Sequence, residues 1–195
     1  MRSLHWIFIM LLLTSCASQN HSVQSESAPF LRHEEKGPFK SYLAMNLPYP
    51  EFAKIREDLE AKNHLKLLNR GEAHITVITP PEYDTILSKK ISIQEIHDLA
   101  EKMKIQESPI KKICVGQGIA KLNGQDESTY FVVVHADRLF EIRKSIQNLY
   151  VSRGGKATDF NAELFYPHVT LGYTKRDLHY EDGVVKDATR CLYAL

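Results

Sequence analysis

Neither sign of charge is in surplus in this chain of 195 residues, where 25 lysines and arginines face 24 acidic residues. A protein that tracks a long nucleic acid needs a basic excess to neutralise phosphates, so an extended nucleic-acid surface is excluded and a small ligand or a short nucleic-acid end is expected. Long apolar runs are also missing, since the one marked run, residues 6–13, is too short to span a bilayer. No His-x-x-x-His pair or comparable ligand cluster is present, which leaves a metal centre without a motif. Val115-Gly116-Gln117-Gly118 has neither the spacing nor the lysine of a phosphate-cradling loop. No internal repeat is visible, and the length and ordinary apolar share fit one compact domain.

The short apolar run has a different use. Arg2 precedes it, and it ends in Leu13-Thr14-Ser15-Cys16, which resembles the bacterial lipobox. The resemblance implies a signal peptide over residues 1–15, acylation of Cys16, and a membrane association through the N-terminal lipid alone. Ala17-Ser18 lacks the aspartate associated with inner-membrane retention, so the expected location is the bacterial envelope, on the outer membrane and facing the periplasm. Cleavage would remove Arg2 and leave 24 basic against 24 acidic residues. Residues 16–36 are polar and serine-rich without period and read as a flexible tether, which leaves residues 37–195 as the domain. The remaining cysteines, Cys114 and Cys191, would sit where pairing is allowed, although two buried unpaired thiols are the expectation.

Within the domain, residues 39–45 alternate as a strand should, and Phe52, Ile55 and Leu59 recur at helical spacing. Residues 72–79 form a second strand stopped by Pro80-Pro81, and Ser92 with Glu95 makes a capping box for a helix to about residue 103. The second half starts with a strand over residues 110–122, a hairpin turn at Asn123-Gly124 and a return strand. A helix striped by Leu139, Ile142, Ile146 and Leu149 follows, ended by Gly154-Gly155. Residues 166–173 are the next strand, and a last one begins near residue 189.

Two tetrapeptides in these strands carry chemistry, His74-Ile75-Thr76-Val77 and His168-Val169-Thr170-Leu171. Strand side chains alternate faces, so each histidine shares a face with its threonine while the apolar residues take the other. With nine histidines in the chain, composition alone predicts about 0.4 His-x-Thr triplets, against the two present. Two imidazoles and two hydroxyls suit a phosphodiester: one imidazole takes a proton from the nucleophile, the other gives one to the leaving oxygen, and hydroxyls hold non-bridging oxygens. No metal is required by this logic. Tyr166 shares the motif face and either stacks on a base or closes the strand structurally. Arg70 either reaches a phosphate or stands as an exposed turn arginine. Tyr42 is a weaker candidate of the same kind, and Gly172 either leaves room for ligand or marks a bulge. A zinc site from His74, His168 and Glu72 is the weakest alternative.

On these two tetrapeptides the sequence resembles the two-histidine (2H) phosphoesterase superfamily, whose signature is a pair of His-x-Thr/Ser-x motifs in strands. The resemblance extends from about residue 39 to the C-terminus. It implies an α+β fold of two pseudo-symmetric lobes, each an antiparallel sheet with helices packed outside, around a central cleft. It further implies metal-independent hydrolysis, with no cofactor, of cyclic phosphates or 2′,5′-type phosphodiesters in nucleotides or RNA ends, including an RNA-repair-like branch. Carried over, His74 and His168 are the acid/base pair and Thr76 and Thr170 bind phosphate, with a monomer expected. The rival from another class is a lipoprotein that binds nucleotide phosphates without turning them over.

Overall fold

The computed structural model describes residues 28–195. The lipobox, Cys16 and the first part of the expected tether lie outside them.

Seven strands and four α-helices alternate along the described chain. The first sheet is built from β1 (His33–Glu34), β2 (Ser41–Asn46) and β3 (His74–Ile78), in the order β1-β2-β3. The second has the order β6-β5-β4-β7, from β4 (Lys111–Leu122), β5 (Gln125–His135), β6 (His168–Tyr173) and β7 (Cys191–Ala194). All pairings are antiparallel. The expected α+β class with two antiparallel sheets is what the chain adopts.

Helices connect the strands in matching ways. α1 (Tyr49–Asn63) joins β2 to β3, and α4 (Asp137–Ser152) joins β5 to β6, so each motif strand follows a strand-helix unit and pairs with the strand before it. Local chemistry sets the ends. α1 starts with proline in its first turn and stops at His64 in the left-handed region, φ 54°. Thr79 and Glu82 form a capping box for α2 (Pro80–Thr85), so the prolines that end β3 also begin a helix. Ser92 and Glu95 do the same for α3 (Ile93–Lys102). Asn123 and Gly124 have φ of 54° and 82°, the positive values a tight hairpin turn between β4 and β5 demands.

One apolar core serves both sheets. Ile75 and Val77 of β3, Val132 of β5, Val169 of β6 and Leu139, Ile142 and Ile146 of α4 are all fully buried in it. Arg143 of α4 is buried among them, 1% exposed. Its guanidinium donates to the carbonyls of Val77 (2.6 Å) and Ala162 (2.9 Å) and to Glu82 (2.8 Å), and it lies 4.8 and 4.9 Å from the Phe160 and Phe165 ring centres. An arginine from the second half thereby clamps the end of the first motif strand.

Two expectations change here. The tether was expected to run to Lys36, yet the chain is docked from Ala28 onward. Gln106 donates to the Ala28 carbonyl (2.6 Å), Asn46 to that of Pro29 (3.1 Å), Arg32 pairs with Asp98 and Glu101, and β1 joins the sheet. A polar composition says nothing about main-chain acceptors that distant side chains can satisfy. The thiols of Cys114 and Cys191 are likewise paired, in a disulfide that spans 77 residues with Cα atoms 5.7 Å apart. Pairing β7 against β4 sets Cys114 beside the C-terminal strand, a proximity that only the sheet supplies.

Candidate active site

β3 and β6 are edge strands of their respective sheets, and they approach one another. Alternation does what the pattern predicts: Ile75, Val77, Val169 and Leu171 are buried, while His74, Thr76, His168 and Thr170 are half-buried and line one cavity of about 460 Å³. Both motifs, 94 residues apart, therefore meet on one concave surface.

His168 is held by its own strand entrance. Its Nδ1 lies 2.6 Å from the Tyr166 carbonyl, which can only accept, so Nδ1 carries the proton and the neutral ring leaves Nε2 as an acceptor. Burial disfavours the imidazolium, the Lys186 ammonium adds to this, and together they push the ring down to about 3 against the pull of the Tyr166 carbonyl and Asp177. His74 differs. Burial lowers it too, helped by Arg70 and Lys186, but its Nδ1 stands 3.7 Å from the Glu72 carboxylate, and Glu72 and Asp177 both favour its proton. The two histidines thus share a cavity without sharing an electrostatic setting.

The threonines differ as well. Thr76 lines the cavity half-buried, and among the described residues no hydrogen bond ties up its hydroxyl, which can donate to a ligand. Thr170 donates to Asp177 Oδ2 (3.1 Å), and its oxygen accepts from Lys186 Nζ (3.3 Å). Asp177 also accepts from Thr129 (2.6 Å) and Lys186 (2.8 Å). Burial works against its charge, but Lys186 and these hydrogen bonds outweigh it and hold the carboxyl down to about 2.

The weaker candidates are distributed around the rim. Arg70 lines the cavity with a 61% exposed side chain, 4.0 Å from Glu72. Tyr42 lines it from β2, its ring centre 6.2 Å from that of His74 and 3.9 Å from that of His33. Tyr166 faces Tyr180 with ring centres 6.5 Å apart and planes within 14°. Gly172 makes room for backbone: a Cβ there would stand 2.8 Å from the Leu68 carbonyl oxygen and from Leu67 Cβ, where residue 68 bridges to Tyr173. A bulge lies beside it, since Thr170 and Gly172 pair with consecutive residues of β5 and leave Leu171 extra. Among the described residues no group of three or more His, Cys, Asp or Glu stands where it could hold a metal ion.

Asp177, Tyr180 and Lys186 were not singled out from sequence. They occupy a charged stretch, residues 174–186, that reads as a solvated loop. The available signal was the apolar residues Leu178 and Val184 within it, both buried.

Compared with protein families, residues 41–179 match the family described as "Swiss Army Knife, 2H phosphoesterase domain". The match takes in both His-x-Thr strands and stops short of Tyr180 and Lys186. No curated protein and no solved structure matched the chain.

Proposed function

The chain belongs to the 2H phosphoesterases, and from that premise we propose that it hydrolyses a cyclic phosphate or a 2′,5′-type phosphodiester of a nucleotide or RNA end. The observation that carries this reading is the convergence of two His-x-Thr strands, one from each sheet, on a single cavity.

The two histidines take separate roles. His168, neutral and with Nδ1–H committed to the Tyr166 carbonyl, accepts at Nε2 a proton from the attacking water. The water oxygen bonds to phosphorus as the bond to the leaving oxygen breaks. His74, whose proton Glu72 favours, delivers it to that leaving oxygen. Thr76 donates its hydroxyl to a non-bridging oxygen, and Arg70 at the rim favours the anionic substrate electrostatically.

The parallel rings of Tyr166 and Tyr180 support a nucleobase on the substrate. Their ring centres are 6.5 Å apart, less than the roughly 7 Å that a base between two faces needs, so a base stacks on one exposed ring face of the pair. An exposed Tyr180 sets this pair at the mouth, where a base outside the phosphate pocket would lie.

We place this activity at the envelope, with Cys16 acylated. The disulfide between Cys114 and Cys191 supports an oxidising compartment. Cys16→Ser should move the protein from the membrane to the soluble fraction, and an unchanged distribution would remove the anchor from the proposal.

Phosphorus NMR of the full-length chain with 2′,3′-cyclic nucleotides and 2′,5′-linked dinucleotides tests the reaction. Turnover lost by about 10²-fold or more in both His74→Ala and His168→Ala is the expected result. Ligand shifts without turnover in the wild type would instead make the chain a binding protein.

A further inference from the structure

The assignment of phosphate binding to both threonines meets a difficulty at Thr170. A hydroxyl has one proton, and that of Thr170 is directed at Asp177 Oδ2 (3.1 Å), while its oxygen accepts from Lys186. It therefore has no proton left for a phosphate oxygen. On the β6 side of the cavity another donor is needed.

Lys186 meets the requirement. Its side chain is 3% exposed, and it lines the same cavity. The ammonium has three N–H groups, of which one goes to Asp177 Oδ1 (2.8 Å) and one to Thr170 Oγ1 (3.3 Å), leaving the third. Its charge lowers both His74 and His168, as it would from a position between the two motifs. The loop that carries it is pinned on both sides. Val184 packs over Gly118, where a Cβ would come within 2.2 Å of its methyl, and Cys191 is bonded to Cys114.

We propose that Lys186 is the cation that binds the substrate phosphate on the β6 side, with Asp177 and Thr170 as positioning residues that aim its free N–H into the cavity. The proposal rests on the phosphoesterase reading for what the phosphate belongs to. A buried, already desolvated ammonium attracts a phosphodiester anion more strongly than an exposed one, and its geometry is set before the substrate arrives. The residue lies beyond the segment that matches the family, so this cation belongs to the C-terminal loop of this chain.

Inorganic phosphate is the first probe, because its binding requires no turnover. In the full-length chain, kept in a phosphate-free detergent and labelled with ¹⁵N-lysine, phosphate should shift the Lys186 Nζ resonance. Lys186→Met should weaken phosphate binding at least tenfold and lower kcat/KM by about 10²-fold to 10³-fold, with Lys186→Arg recovering part of the affinity. Because Lys186→Met leaves the Asp177 carboxylate unpaired and risks misfolding, an Asp177→Asn/Lys186→Met double variant is measured beside it. Phosphate affinity and turnover unchanged in a folded double variant would overturn the proposal while leaving the phosphoesterase reading intact. So would an unmoved Nζ resonance at saturating phosphate. If phosphate shifts Nζ but no phosphodiester is turned over, Lys186 stands and the hydrolytic reading falls.

Discussion

If His74 is the acid and Glu72 holds its proton, Glu72→Gln should move one limb of the pH profile and leave the other in place. The carboxylate is 3.7 Å from Nδ1. At that separation the attraction is roughly 1 kcal/mol at the dielectric of water and roughly 4 kcal/mol at an effective dielectric of 20. Glu72 is 46% exposed and His74 19%, so screening keeps the value towards the lower end, about 1–2 kcal/mol. The sign follows from the role. The acid must be protonated in the free enzyme, so kcat/KM falls as pH rises through the value for His74, which burial already sets below that of a free histidine. Losing Glu72 lowers it further, and the basic limb moves to lower pH. At neutral pH the loss is roughly fivefold to thirtyfold, from 1.36 kcal/mol per tenfold. The acidic limb, set by His168 near 3, should not move. Arg70→Gln removes a charge that lowers His74 and should displace the basic limb upward, whatever it does to amplitude. The assay is kcat/KM against pH for the three proteins on one cyclic nucleotide. An acidic limb that moves in Glu72→Gln while the basic limb stays would assign His74 as the base, and basic limbs displaced in the same direction in the two variants would refute the electrostatic argument.

Three stability predictions follow from packing. Arg143→Met should lower unfolding free energy by about 3–5 kcal/mol, because it strips six hydrogen bonds from a site 1% exposed and unpairs Glu82; chemical denaturation reads this, and a loss under 1 kcal/mol would contradict the clamp. Reducing the Cys114–Cys191 bond, whose partners are 77 residues apart, should destabilise the native state by about 4.5 kcal/mol in the chain-entropy model. A melting temperature that reductant does not change would oppose this. Gly172→Ala should cost about 1–3 kcal/mol, since the added Cβ meets the Leu68 carbonyl oxygen at 2.8 Å. Hydrogen exchange should then quicken at the Leu68 and Tyr173 amides, which bond each other's carbonyls at 2.9 Å, and unchanged protection would sink the account.

Part of this protein was legible because its causes are local. Alternation in His74-Ile75-Thr76-Val77 and His168-Val169-Thr170-Leu171 decides which side chains share a face, whatever the strand pairs with. Ser92 with Glu95 and Asn123 with Gly124 set a helix start and a hairpin by bonds and dihedrals within four residues. The two motifs sufficed for the resemblance to the family, and the resemblance in turn implied the two-sheet α+β class. The docking of residues 28–36 escaped that reading because its partners, Gln106, Asp98 and Glu101, are about 70 residues away.

The site divides along the same line. Residue type and spacing alone determined that two imidazoles and two hydroxyls would be presented on strand faces. Only the tertiary structure decided that they share a cavity, that Glu72 stands beside His74 alone while a buried Lys186 lowers both histidines, and that the Thr170 hydroxyl donates to Asp177. Charge interactions act through space over a few ångströms, and the chain brings residues 74, 168, 177 and 186 within that range only by folding.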